Sequence, residues 1–131
     1  MFLYNEVQKR EANQERVRVG LIGAGKFGSM FLSQAPFTIG LEVSSIVDIS
    51  VENAKKNCRD VGWTEEQIES VLFFDNLKKM ISQTKIDVLV EATGDPVEGT
   101  KHALIAIEQG LDIVMVNVAV SYTHLRAHET R

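Results

Sequence analysis

The feature that most constrains this chain is the run Gly23-Ala24-Gly25-Lys26-Phe27-Gly28, set between an apolar segment and a helical pattern. The segment before it, Val17-Arg18-Val19-Gly20-Leu21-Ile22, is short, β-branched and apolar. It reads as a buried strand. After it, residues 26–35 carry Phe27, Met30, Phe31 and Gln34 at helical spacing, and Pro36 ends the pattern. Three glycines at this spacing, between a strand and a helix, suit a phosphate cradle. Gly23 lets the chain turn off the strand, and Gly25 leaves room for a pyrophosphate against the backbone. Gly28 lets the helix pack closely on the strand. The unpaired N–H groups and positive dipole end of the helix then face the phosphates.

The rest of the chain repeats the alternation. Glu42 to Ile49 reads as a second strand, and Ser50 as the cap of a helix with Val51, Ala54, Cys58 and Val61 on one stripe. Gly62 is its expected left-handed terminator. Thr64-Glu65-Glu66-Gln67 has the form of a capping box opening another short helix. Val71 to Phe74 reads as a third strand, with Asp75 as the cap of a helix running to about Gln83. Ile86 to Ala92 is a fourth strand whose continuous apolar centre suits burial on both faces. Asp95-Pro96-Val97-Glu98 starts a helix with a cap, a proline in the first turn and an acid near the positive dipole end. That helix runs to Gln109, Gly110 closes it, and Asp112 to Asn117 is a fifth strand. Such alternation predicts the α/β class, a Rossmann-type doubly wound parallel sheet truncated after strand five. A short surface helix is expected over residues 3–13.

Asp48 stands at the end of the second strand, twenty residues after Gly28. A carboxylate there can accept hydrogen bonds from the adenosine ribose and would repel a 2′-phosphate. No arginine follows in Ile49, Ser50 or Val51 to offset that repulsion. NAD is therefore the expected cofactor, with NADP second. In the strand order 3-2-1-4-5, strands one and four flank the switch point where ligands bind. The loop Ala92-Thr93-Gly94 should then border the nicotinamide side. A P-loop nucleotidase is the rival reading, since Gly20 to Lys26 matches its motif, but Phe27 stands where a magnesium-binding Ser or Thr is needed. A methyltransferase, with a similar glycine turn and acid, is a lesser rival.

Composition excludes other classes. With 131 residues, 44% of them hydrophobic and 24% charged, the chain can bury one core. A net charge of -4, spread along the sequence, gives no basic face for nucleic acid and no polybasic membrane patch. There is no apolar run of membrane-span length, and residues 1–15 lack the apolar core of a secretory signal. The single cysteine, Cys58, cannot form an internal disulfide and reads as core. A cytoplasmic protein is expected. Trp63 is expected to pack under a loop beside Gly62. His102 reads as a surface or capping residue more readily than a site residue. Lys26 suits either phosphate binding or a solvated helix start.

Val17 to Phe31, then Val47-Asp48, then Glu91-Ala92-Thr93-Gly94-Asp95-Pro96, then Val114-Met115-Val116-Asn117-Val118, resemble the predicted homoserine dehydrogenase-like oxidoreductases whose longer members end in a SAF domain. The resemblance covers residues 7 to about 118. A looser likeness joins it to sugar oxidoreductases of the Gfo/Idh/MocA type. The resemblance implies an NAD(P)-binding domain followed by a separate catalytic domain, so a small-molecule substrate would be met through a missing part. It implies cofactor contacts at Gly23, Ala24, Gly25, Lys26, Phe27, Gly28, Asp48, Ile49, Ala92, Thr93, Gly94 and Asn117, with no catalytic residue and no metal ligand assigned. Homoserine dehydrogenases place a lysine just after an asparagine at the end of the fifth strand; here Asn117 is followed by Val118. Homoserine is accordingly not the expected substrate. A non-catalytic nucleotide-binding fragment is the alternative, and homo-oligomerisation is open. Residues 1–15 read as an N-terminal extension and 16–118 as the incomplete dinucleotide-binding domain. Residues 119–131 are expected to be non-native, because 121–131 resemble a translated adapter. His124 and His128, four apart, lack partner ligands for a metal.

Overall fold

The structure, a computed structural model, describes residues 16–116. The expectations for residues 3–13, Asn117, His124, His128 and the tail from 119 lie outside the described residues. Strand β1 (Val17–Ile22) leads through the glycine run into helix α1 (Lys26–Gln34), and a 3-10 turn follows at Ala35–Phe37. Then come β2 (Leu41–Val47), α2 (Val51–Asp60), α3 (Glu65–Glu69), β3 (Leu72–Phe74), α4 (Leu77–Gln83), β4 (Val88–Glu91), α5 (Pro96–Glu108) and β5 (Asp112–Met115). The strands form one parallel sheet in the order β3-β2-β1-β4-β5. The expected α/β sheet and its switch point between β1 and β4 are therefore present.

Two apolar clusters cover the sheet. One joins α1 and α2 to β1 and β2 through Leu32, Ala54, Cys58, Val19, Leu21 and Ile46. The other joins α4 and α5 to the sheet through Leu77, Met80, Ala106, Ile22, Val47 and Leu89. Burial on both sides explains the apolar stretches at residues 19–22 of β1 and 88–90 of β4. Trp63 locks the first layer: its indole N–H donates to the Leu32 carbonyl at 2.9 Å. Cys58 is fully buried, and loss of solvation pushes its thiol up to about 11 against a smaller opposing effect of Arg59. It behaves as a small core residue.

Several local expectations shift. Met30 points outward at 64% exposure, while Leu32 is fully buried on the sheet side of α1. Four residues at helical spacing did not settle which face packs: α1 buries Gly28 and Leu32, while Phe27 and Phe31 lie half-buried against the same core. Pro36 is the middle residue of the 3-10 turn Ala35–Phe37, where its fixed φ is tolerated in the first turn. Asn76, not Asp75, caps α4, its side chain accepting from the Lys79 N–H at 3.2 Å. Asp75 pairs instead with exposed Lys79. Strand β2 stops at Val47, which leaves Asp48 and Ile49 in the loop above the sheet. The capping box at Thr64 and Gln67, the Ser50 cap, and the Asp95 cap with Pro96 in the first turn are formed as the sequence suggests.

Candidate dinucleotide site

The C-terminal ends of β1, β2 and β4 open on a groove of about 440 Å³. Its floor is Ile22, Gly23, Val47 and Thr93. One wall is the start of α4 with Asn76 and Leu77, and the other is the first turns of α5 with Glu98 and His102. Gly25, Asp48 and Ile49 complete the rim.

The three loop glycines do different jobs. Gly23 adopts φ +93° and lies against Thr93, so a side chain there would be strained and would meet the Thr93 backbone at 3.0 Å. A Cβ on Gly28 would overlap the Gly23 carbonyl oxygen, so α1 can sit this close to the turn only without one. Gly25 has open space where its side chain would be, at the N-cap of α1. No side chain caps α1, and its N-cap residue Gly25 lines the groove. A bare backbone beside an uncapped helix start suits a phosphate group.

Asp48 has a structural task as well. Its Oδ2 accepts from the Ala24 N–H at 2.8 Å and its Oδ1 from the Ser50 N–H at 3.0 Å. A carboxylate has about four acceptor positions, so lone pairs remain for a sugar hydroxyl. Asp48 thus ties the glycine loop to β2 while lining the groove. Asn57 supports the same loop by donating to the Ala24 carbonyl at 2.7 Å.

The other singled-out residues divide. Ala24 and Ala92 are buried and shape the loop backbones without lining the groove. Phe27 packs on Gly94, whose φ is +78°. Lys26 is exposed and its ammonium lies 6.0 Å from the Phe27 ring centre. Beneath the groove lies a group that sequence reasoning had left aside. Glu91, the last residue of β4, is fully buried. Its Oε1 accepts from both the N–H and the hydroxyl of Thr93, at 3.0 and 2.9 Å. Its Oε2 lies 2.5 Å from Nδ1 of His102. His102 is therefore a groove residue paired with a buried carboxylate, against the expectation of a surface or capping role. The sequence signal was an acid closing an apolar strand and a histidine on the helix that follows. Only the packing of α5 on β4 brings them together.

A parallel sheet with a glycine turn, an uncapped helix start and an acid across the switch point defines a dinucleotide-binding Rossmann domain. Residues 19–128 match the family of the homoserine dehydrogenase NAD-binding domain, and the chain belongs to that family. Solved structures agree on the fold. A dehydrogenase from Chromobacterium violaceum is 22% identical with a TM-score of 0.61, over 76% of this chain and 27% of that one. A myo-inositol dehydrogenase from Lactobacillus casei, solved with NAD(H) and myo-inositol, is 24% identical with a TM-score of 0.60, over 76% and 28%. The WlbA dehydrogenase from Bordetella pertussis, solved with NADH and UDP-GlcNAcA, is 23% identical with a TM-score of 0.58, over 76% and 28%. The chain spans about a quarter of the length of these structures. No curated protein sequence matches it. Among the described residues, no helix is long and apolar enough to cross a membrane.

Proposed function

We propose that residues 16–118 hold NAD(H), in preference to NADP(H), for an oxidoreductase that transfers hydride to or from a small-molecule substrate. The substrate contacts and the groups that move protons at the reacting carbon would come from a part of the protein outside this chain. The observation that carries the reading is the pairing of Gly25 with Asp48 in one groove. Gly25 leaves a bare helix start for the pyrophosphate, and Asp48 offers acceptors to the adenosine ribose on the β2 side. The nicotinamide, when bound, supplies the hydride chemistry, and these residues bind and orient it. The same carboxylate disfavours a 2′-phosphate. At 4 Å, like charges repel by about 1 kcal/mol in water and about 4 kcal/mol near a protein surface.

The test is a pair of fluorescence titrations of the full chain with NADH and NADPH. NADH should bind at least about tenfold more tightly, the equivalent of about 1.4 kcal/mol. Equal affinities would overturn the role given to Asp48. A folded sample that binds neither nucleotide would overturn the cofactor reading.

A further inference from the structure

The Glu91–His102 pair has no part in the phosphate cradle or the Asp48 contact. A fully buried carboxylate needs several hydrogen-bond partners, and Glu91 has them in Thr93 and His102. That accounts for Nδ1 of the imidazole and for nothing else on the ring. His102 lines the groove with 15% of its side chain exposed, and Nε2 makes no hydrogen bond among the described residues. A ring nitrogen at the groove, on a ring held from behind by a buried acid, is a built recognition group.

Position and charge say what it recognises. Strand β1 lies between β2 and β4 in the sheet. A dinucleotide with its adenosine ribose at Asp48 on the β2 side and its pyrophosphate at Gly25 must place its second ribose toward β4. Neighbouring strands lie about 4.8 Å apart, so β2 and β4, with β1 between them, are separated by about 10 Å, a gap that a pyrophosphate joining two riboses can bridge. Thr93 and His102 stand on that side. The same wall carries Asp95 and Glu98, which would repel a phosphate but not a neutral sugar. A hydroxyl both donates and accepts, so it can meet Nε2 in either tautomer.

The geometry points to His102, oriented by Glu91, as the group that takes up a hydroxyl of the nicotinamide-side ribose. The inference rests on the NAD(H) reading above. It makes Glu91 a positioning residue for both His102 and the Thr93 loop.

The two amide substitutions of His102 separate recognition from mere support. In His102→Asn, the amide nitrogen can stand where Nδ1 stands and keep the bond to Glu91, but nothing replaces Nε2. In His102→Gln, the longer amide can reach toward the Nε2 position. Both variants, confirmed folded by their melting curves, are titrated with ADP, ADP-ribose and NADH beside the parent chain. ADP lacks the second ribose and reports only the adenosine and phosphate contacts. The expected result is unchanged ADP affinity in both variants. ADP-ribose and NADH should bind about tenfold more weakly to the Asn variant, the value of one hydrogen bond, and near the parent level to the Gln variant. The proposal is overturned if the Asn variant binds ADP-ribose as the parent does. It is equally overturned if ADP affinity falls by the same factor, which would make the pair structural. A parent chain that binds ADP and NADH while the variants show no difference leaves the cofactor reading standing and removes only this one. A folded parent that binds neither removes both.

Discussion

Alanine at Gly28 and alanine at Gly25 should have opposite consequences, although both glycines belong to the same loop. At Gly28 the new Cβ would overlap the Gly23 carbonyl oxygen and lie 2.8 Å from its carbon. Ordinary carbon contacts are about 3.5–4.0 Å, so the start of α1 must move away from the turn. The obstacle is backbone, which cannot rotate aside. Overpacking of this kind costs about 1–3 kcal/mol and sits at the upper end here. At about 4–8 °C per kcal/mol for a domain of this size, Tm should fall by roughly 12–24 °C. At Gly25 the added Cβ meets nothing within 4 Å. Alanine is a poorer N-cap than glycine by less than about 1 kcal/mol, so Tm should fall by no more than about 8 °C. The methyl group would instead occupy the space left for the pyrophosphate. Losing one charge-assisted hydrogen bond of about 1.5–3 kcal/mol should weaken NADH binding by about 10–150-fold. Differential scanning fluorimetry and NADH titration on both variants check this. Equal melting temperatures for the two variants would refute the steric account of Gly28. Parent-like NADH affinity in the Gly25 variant would refute the phosphate cradle.

Asp48→Asn should weaken NADH binding about tenfold and narrow its advantage over NADPH, because the repelling charge is gone while one acceptor remains; paired titrations measure both. Cys58 should resist alkylation in the folded chain at pH 8 and react freely in denaturant, since burial raises its thiol to about 11 and only the thiolate attacks. The stability consequence has a fixed sign: the folded chain holds this proton longer than the unfolded chain, so stability is unaffected below about pH 8 and falls as pH rises from 9.0 toward 11. Chemical denaturation at pH 8 and pH 10 on the parent and a Cys58→Ala variant tests this, the variant lacking that part of the loss. Strand β5 pairs with β4 and carries Val114 and Met115 at 50% and 41% exposure. With Leu104 and Ile107 also exposed on α5, concentration-dependent self-association is expected in sedimentation velocity. A monodisperse monomer across the accessible range would contradict it.

The order of elements, the glycine turn and most caps were legible in the sequence because each depends on neighbours a few residues apart. Ser50 reaches Asn53, Thr64 reaches Gln67, and Asp95 reaches Val97 and Glu98. The parallel sheet followed from alternation alone, since a strand returning in the same direction needs a crossover between. Less was legible wherever two short-range solutions were nearly equal. Asn76 rather than Asp75 caps α4, and Leu32 rather than Met30 faces the sheet. Adjacent residues with similar capping power differ only in where the incoming strand leaves them.

Sequence by itself therefore determined the fold class, the glycine turn that opens α1 and the acid that follows β2. Tertiary structure decided which groups share the groove. Asp48 reaches back to the Ala24 N–H only because β1 and β2 are neighbours with this register. Glu91 meets His102 only because α5 folds back over the strand that precedes it. A buried acid held by its partner is a property of packing, which brings the two together away from water. No local spacing rule contains that information, and the groove's second wall was accordingly visible only in three dimensions.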